Sequence, residues 1–225
     1  HFAALTLADL VANGTVPQSI KTILAALIAR RANLLISGAT GSGKTTLLAA
    51  LLRLVESNER IVCIEEATEL APDHPHVVHL QARRPNVEGA GEVSLAELVV
   101  AALRMRPDRI VVGECRGGEV REMLTALNTG HSGGAATVHA NSAADVLVRL
   151  EALGALAEMS PTAVRHHAAT AINAIVHLAG SAVGRRLVEI ATIRRRGDDV
   201  GVETVVTVSP RGEVTSGPGW AEFNQ

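Results

Sequence analysis

Aromatic side chains are nearly missing from this chain. Its 225 residues include two phenylalanines, one tryptophan and no tyrosine, and all three lie at the ends, at Phe2, Trp220 and Phe223. Grooves for single-stranded nucleic acid are usually paved with rings on which bases stack, and the body of this chain offers none. Charge of one sign is lacking as well. With 21 basic and 23 acidic side chains the net charge is −2, so no global field draws the protein to nucleic acid or to an anionic membrane. The two cysteines, Cys63 and Cys115, have no metal or redox spacing. They fall in or at the end of strand-like apolar runs and read as reduced packing residues. No signal peptide is evident. The uncharged stretch 166–184 has the length of a membrane span, yet it holds His166, His167, Asn173 and His177; it reads as a helix followed by a buried strand, not as a transmembrane segment. Lysine is scarce too: Lys21 and Lys44 stand alone against many arginines.

What is present centres on one of those lysines. Gly38, Ala39, Thr40, Gly41, Ser42, Gly43, Lys44, Thr45 and Thr46 spell G-x-x-x-x-G-K-T followed by a threonine, the pattern of a phosphate-cradling loop. Glycines let successive backbone N–H groups turn inward around a phosphate chain. Lys44 is placed to reach the outer phosphates and the Thr45 hydroxyl to ligate Mg²⁺. The apolar run 33–37 before the loop reads as a strand. Leu47, Leu48, Leu51, Leu52 and Val55 after it share one helical face. Strand, loop and helix are the setting the motif requires, and the positive helix N-terminus faces the phosphates. These nine residues are the expected nucleotide-binding set.

Apolar runs and helical periodicities alternate along most of the remainder. Residues 1–31 read as a helical lead-in, with Asn13-Gly14 as a turn and Pro17 opening a second helix. Residues 32–209 read as an α/β domain with a mostly parallel central sheet and helices on both faces, the ligand lying at the carboxyl ends of the strands. Ser94 with Glu97 forms a capping box, and Ser160-Pro161 opens a late helix. Residues 210–225, rich in Gly, Pro and Ser, are expected to be poorly ordered. The chain starts at His1 and not at methionine, and so reads as a fragment.

Three clusters fall at the ends of expected strands. Glu65 and Glu66 close one apolar run, with Glu69 following. Glu114 closes another, after Ile110, Val111, Val112 and Gly113. An acid in that place organises Mg²⁺ through water or orients the attacking water. The position where an aspartate commonly sits is held by Gly113, so Glu114 serves alone or with Glu66. The third cluster, residues 129–142, carries His131 in a glycine-rich loop and His139 at the end of the next strand. A histidine near the terminal phosphate can bond to it and report its loss. Phosphoryl transfer also needs cationic charge. Arg83 and Arg84 are candidates to touch a phosphate, in cis or in trans.

With these motifs in order, the chain resembles the motor domain of the type II/type IV secretion ATPase superfamily. GATGSGKT resembles its Walker A loop, CIEEATEL its acidic box, RIVVGECRG an atypical Walker B and NTGHSGGAATVHANS its histidine box. LRMRPDRIVVGECRGGE and ALNTGH are most similar to the tight-adherence pilus and conjugal-transfer branch. The resemblance covers roughly residues 5–208. It implies a RecA-like domain, ATP with Mg²⁺, and a homohexameric ring without nucleic acid as a partner. The ring would stand in the cytoplasm at the inner face of the membrane, bound through membrane-embedded platform proteins, and would power pilus assembly, secretion or conjugal transfer. By position it assigns Lys44 and Thr45 to phosphate and Mg²⁺, Glu114 to the Walker B acid, and Glu65 and Glu66 to the acidic box. His131 and His139 become the histidine box, with Glu114 and Glu66 meeting the metal through water. Two departures stand out. The second acid of the box is typically aspartate and here is Glu66, and the family's N-terminal domain that closes over the nucleotide is not recognisable. A nucleic-acid translocase on the same scaffold and a nucleotide-gated scaffold without turnover are the rival readings.

Overall fold

The computed structural model describes residues 5–130, 132–181 and 184–224. The elements follow one another as α1 (Leu7–Ala12), α2 (Gln18–Ala29), β1 (Leu34–Gly38), α3 (Lys44–Leu52), β2 (Ile61–Glu65) and β3 (Val77–Gln81). Then come α4 (Leu95–Leu103), β4 (Arg109–Cys115), α5 (Val120–Asn128), β5 (Ala135–Val138), α6 (Val146–Leu156) and α7 (Pro161–Ala171). The chain closes with β6 (Ala174–Ser181), β7 (Gly184–Arg196), β8 (Asp199–Val208), β9 (Val214–Ser216) and α8 (Trp220–Phe223).

One sheet runs through the molecule in the order β3-β2-β4-β5-β1-β6-β7-β8-β9. The first six strands in that order are parallel; β6 through β9 pair antiparallel. The expected mostly parallel sheet is therefore corrected to a mixed one. The cause is local. After β6 no crossover helix intervenes, and strands joined by a short connection can only return antiparallel. Alternation along the central strands divides the core between two faces. Leu35, Val62, Ile64, Ile110 and Val112 point to one face, under α4 to α7. Leu34, Ile36, Ile61, Cys63 and Val111 point to the other, under α1, α2 and α3. Burial on both sides explains why these strands read as unbroken apolar runs. Burial also pushes the Cys63 thiol up to about 12 and raises Cys115 as well, which fits inert packing residues.

The lead-in helices are part of this body. Leu7, Leu10, Val16, Ile20 and Leu24 are buried against the second face. Capping boxes start α1 (Thr6 with Asp9) and α4 (Ser94 with Glu97), each contributing about 1 kcal/mol. The described part of the Gly/Pro-rich tail takes up regular structure. β9 pairs with β8, and Trp220 and Phe223 pack on the second core. Two of the three aromatics thus anchor a segment whose backbone composition alone would leave loose.

Two polar devices hold the edge where the parallel strands begin. Asn33, 6% exposed, donates to the carbonyls of Leu127 and Ala171 and accepts from Gly134 N–H. The Arg109 guanidinium forks onto both carboxylate oxygens of Glu59 at 2.9 and 3.0 Å and reaches Ile28 O. Arg31 joins Glu59 from the solvent side at 2.9 Å. Both charges of the inner pair are buried, so deleting one partner would leave the other uncompensated, at a cost of about 3–5 kcal/mol.

Candidate functional site

The glycine loop occupies the opposite edge, where the parallel strands end. β1 runs into it at Gly38, and α3 leaves it at Lys44. Gly38 sits at φ +152°, and a Cβ there would lie 2.6 Å from Ser42 Oγ. Gly43, the residue before α3, is left-handed at φ +95°. Both positions ask for glycine, so the motif's spacing follows from the backbone path. The first amides of α3 have no acceptor within the helix and point into the loop. Ser42 Oγ is buried without a hydrogen-bond partner. Lys44, 7% exposed, donates to the carbonyls of Gly38 and Ala39, each at 3.0 Å. Burial pushes its pKa below the ordinary 10.5, and the nearby Glu114 carboxylate opposes that shift.

β4 brings Glu114 to the same edge. Arg116 Nη2 meets Glu114 Oε2 at 2.5 Å, and His139 Nε2, just past β5, lies in contact with Glu114 Oε1. Burial and the Lys44 charge lower the His139 pKa from 6.5 against the pull of Glu114, so the imidazole is neutral near pH 7. A cavity of about 80 Å³ brings together Thr45, Glu65, Glu66, Glu69, Glu114 and Arg116. Beside it, a space of about 230 Å³ runs along Thr40, Gly41 and Gly43 to Thr46, with Glu69, Glu114, Arg116, His139 and Arg185.

The acids at the end of β2 differ in their engagement. Glu65, 5% exposed, accepts the amides of Glu69 and Leu70 at 3.0 and 2.9 Å and lies 3.7 Å from His79 Nδ1. Its carboxylate fixes the loop after β2. The Glu66 side chain is 55% exposed, lies 3.9 Å from Arg116 and already borders the small cavity. Arg83 and Arg84 lie elsewhere. Arg83 follows edge strand β3, pairs with Val93 and donates to Gly91 O. Three strands separate β3 from β1 in the sheet order, so neither arginine lines the phosphate space of its own chain.

His131 falls outside the described residues. Gly133 and Gly134 lie at the edge where the parallel strands begin: Gly134 O accepts from Leu34 N–H, and Arg109 approaches Gly133 O. His139 is the expected histidine that the described residues bring to the acids.

Arg185 went unnoticed in the sequence. It opens β7, and its Cδ lies 3.2 Å from where a Gly43 Cβ would be. It also lines a second cavity of about 460 Å³ that shares Gly43 and Thr46 with the phosphate space. Leu10, the Asn13–Gly14–Thr15 turn, Arg186 and Pro210 also line that cavity. Among the described residues no group of three His, Cys, Asp or Glu could hold a metal by itself, and no helix is long and apolar enough to cross a membrane.

Fold and site together define an α/β protein with a glycine loop, a buried ammonium and a facing acid gathered around space for a polyanion. The profile of the family described as type II/IV secretion system protein matches residues 2–200, and the chain belongs to that family. A Mycobacterium tuberculosis protein provisionally named for conjugal transfer is 52% identical over 204 residues, which is 90% of this chain and 58% of that protein. Among solved structures, the VirB11 ATPase of the Brucella suis type IV secretion system, in complex with sulphate, superposes with a TM-score of 0.69 at 28% identity. It matches 84% of this chain and 56% of its own. The pilus retraction motor PilT with bound ADP gives 0.62 at 27% identity, over 84% and 53%. The chain thus spans a little over half the length of these relatives.

Proposed function

We propose that this chain is the RecA-like motor domain of an ATPase that binds ATP with Mg²⁺ and hydrolyses it. The observation that carries the reading is Lys44. Its buried ammonium rests on two carbonyls of its own loop, a substitute for the phosphate oxygens that would bind it more strongly. The sulphate of the VirB11 structure and the ADP of the PilT structure support the same reading.

In this mechanism the amides of residues 41–46 and the α3 N-terminus wrap the phosphates. Lys44 leaves its carbonyls for the outer phosphate oxygens. Mg²⁺ would neutralise charge on the outer phosphates, held by the Thr45 hydroxyl and, through water, by Glu114 and Glu66; these oxygens border one small cavity and so suit the ion. Glu114 orients the attacking water and takes its proton. For that it must be released from Arg116, whose guanidinium is close enough to turn instead toward the transferring phosphoryl group. His139 donates to Glu114 and senses the terminal phosphate. Arg185 contacts the nucleotide where the phosphate space opens into the larger cavity, which would receive the nucleoside. Glu65 supports the site by holding its loop. Arg83 and Arg84, remote in cis, would reach a phosphate from a neighbouring subunit.

The motor would act as a homohexameric ring, with residues 1–31 leading into the domain, at the cytoplasmic face of a membrane and through platform proteins. Its work would be pilus assembly, secretion or conjugal transfer. Calorimetry on the complete natural protein tests the core of this reading. Mg·ATP should give binding heat that Lys44→Ala reduces about 100-fold in affinity or more. Continuous phosphate release separates a motor from a scaffold that only binds, and DNA-stimulated turnover would favour a translocase instead.

A further inference from the structure

Glu114 reaches the phosphate edge because β4 breaks its own alternation. Ile110 and Val112 belong to the core under α4 to α7, and Val111 to the core on the other face. Strict period-two alternation would send Glu114 after Ile110 and Val112 and turn Cys115 to the opposite side. Cys115 instead lies in the same core as Ile110 and Val112. The pairing explains the change. Val112 stands opposite Ala136 of β5 and Cys115 opposite Val138, so Gly113 and Glu114 together face Thr137. Two residues against one make a bulge, which re-aims side chains and disturbs the ladder. Glu114 is thereby released to meet His139 and to border the space it shares with Lys44 and Thr45.

Thr137 sits at that bulge. It is 1% exposed, and its hydroxyl donates to the carbonyl of Gly113 at 2.7 Å. We propose that Thr137 is a positioning residue for Glu114, its hydroxyl pinning the bulge that aims the carboxylate at the glycine loop. Glycine leaves the backbone at 113 free to take many conformations. Its carbonyl belongs to the peptide plane that joins it to Glu114, so a directed bond to that oxygen restricts where the Glu114 side chain starts. The donor lies on β5, which carries His139 two residues later and pairs with β1 as that strand enters the glycine loop. One strand thus fixes both ends of the contact between Glu114 and His139. Valine would fill the place of Thr137 without the desolvation of a hydroxyl. The hydroxyl supplies direction, which packing alone does not.

The inference rests on the ATPase reading for its catalytic consequence only, and the test has a second arm that does not. In the complete natural protein, Thr137→Val should lower kcat about 10- to 100-fold, the scale of a misplacement of about 1 Å. The Kd for Mg·ATP should stay within about twofold. Thr137→Ser keeps the donor and should turn over within about threefold of wild type. In a Glu114→Gln background Thr137→Val should add nothing to the loss, because the two changes act through one group. Crystal structures form the arm that needs no turnover. The Glu114 carboxylate should draw away from His139 by about 1 Å in Thr137→Val and keep its place in Thr137→Ser. Thr137→Ala carries the same expectations should the valine variant fail to fold. A folded Thr137→Val with wild-type kcat and an unmoved Glu114 would overturn the proposal. So would equal impairment of the valine and serine variants, or a loss in Thr137→Val that adds in full to that of Glu114→Gln, each the mark of a merely structural role. Wild-type protein that binds Mg·ATP but never turns it over would defeat the motor reading, and the crystal structures would then decide the positioning role by themselves.

Discussion

The missing side chain of Gly113 is the space that Glu65 fills: a Cβ on Gly113 would stand 2.6 Å from Glu65 Cγ. The two neighbouring strands are matched, glycine on β4 against a long acid on β2. An aspartate at 113 would expel Glu65 from its bonds to the Glu69 and Leu70 amides. The departure at Gly113 and the engagement of Glu65 are therefore one feature, and Glu114 and Glu69 are the acids that line the space along the glycine loop, with Glu66 on the adjoining cavity.

Gly113→Ala should accordingly destabilise the fold by about 1–3 kcal/mol, the usual range for overpacking. Urea denaturation would measure it, and a Glu65→Ala background should remove most of the penalty. A neutral Gly113→Ala would mean that Glu65 can leave without loss.

Glu114→Gln keeps the shape of the side chain and removes the proposed base. The expected outcome is a fall in kcat of about 10²–10⁴-fold, with Mg·ATP affinity largely kept. Single-turnover phosphate release alongside equilibrium binding would show it; loss of both together would instead make Glu114 a binding residue.

Arg185→Ala removes an exposed cation beside Gly43 and should leave the melting temperature unaltered. Nucleotide affinity should drop about tenfold or more, the scale of a charge-assisted hydrogen bond. Calorimetry with ATP, ADP and tripolyphosphate reports where the contact is made: a loss confined to the nucleotides puts Arg185 on the nucleoside, and a loss for all three puts it on the phosphates.

Stability should fall on acidification through the histidine range. Folding lowers the His177 pKa from its ordinary 6.5, so below about 6.5 the unfolded chain takes up a proton that the folded chain refuses. The stabilisation is complete above 6.5 and is lost as pH falls toward the folded value. His139 shifts in the same direction but is more exposed, so solvent screens its share. Denaturation midpoints between pH 8 and about 5 should slope less in His177→Gln than in wild type.

Much of this was legible in the chain itself. Leu34 to Gly38, the loop, and Lys44 to Leu52 form strand, turn and helix as their patterns indicate, since glycine spacing and apolar periodicity act over a few residues. The capping boxes at Thr6 and Ser94 are local in the same sense. Arg185 was not legible. Gly184-Arg185-Arg186 resembles any polar turn, and only the antiparallel return of β7 beside β6 lays Arg185 against Gly43. The tail misled for the opposite reason: Gly and Pro indicate a flexible backbone, whereas Trp220 and Phe223 find a distant apolar surface.

The sequence by itself determined the phosphate loop, the acid at the end of β4 and the alternation of strands with helices, because each is written in residues adjacent along the chain. The tertiary structure decided which charges share the site. It set Glu114 between Arg116 and His139, put Gly133 and Gly134 at the far edge, left Arg83 and Arg84 beside edge strand β3, and brought in Arg185. Strand order and direction fix those neighbours, and they arise from contacts between residues far apart in the chain, where local pattern carries no signal.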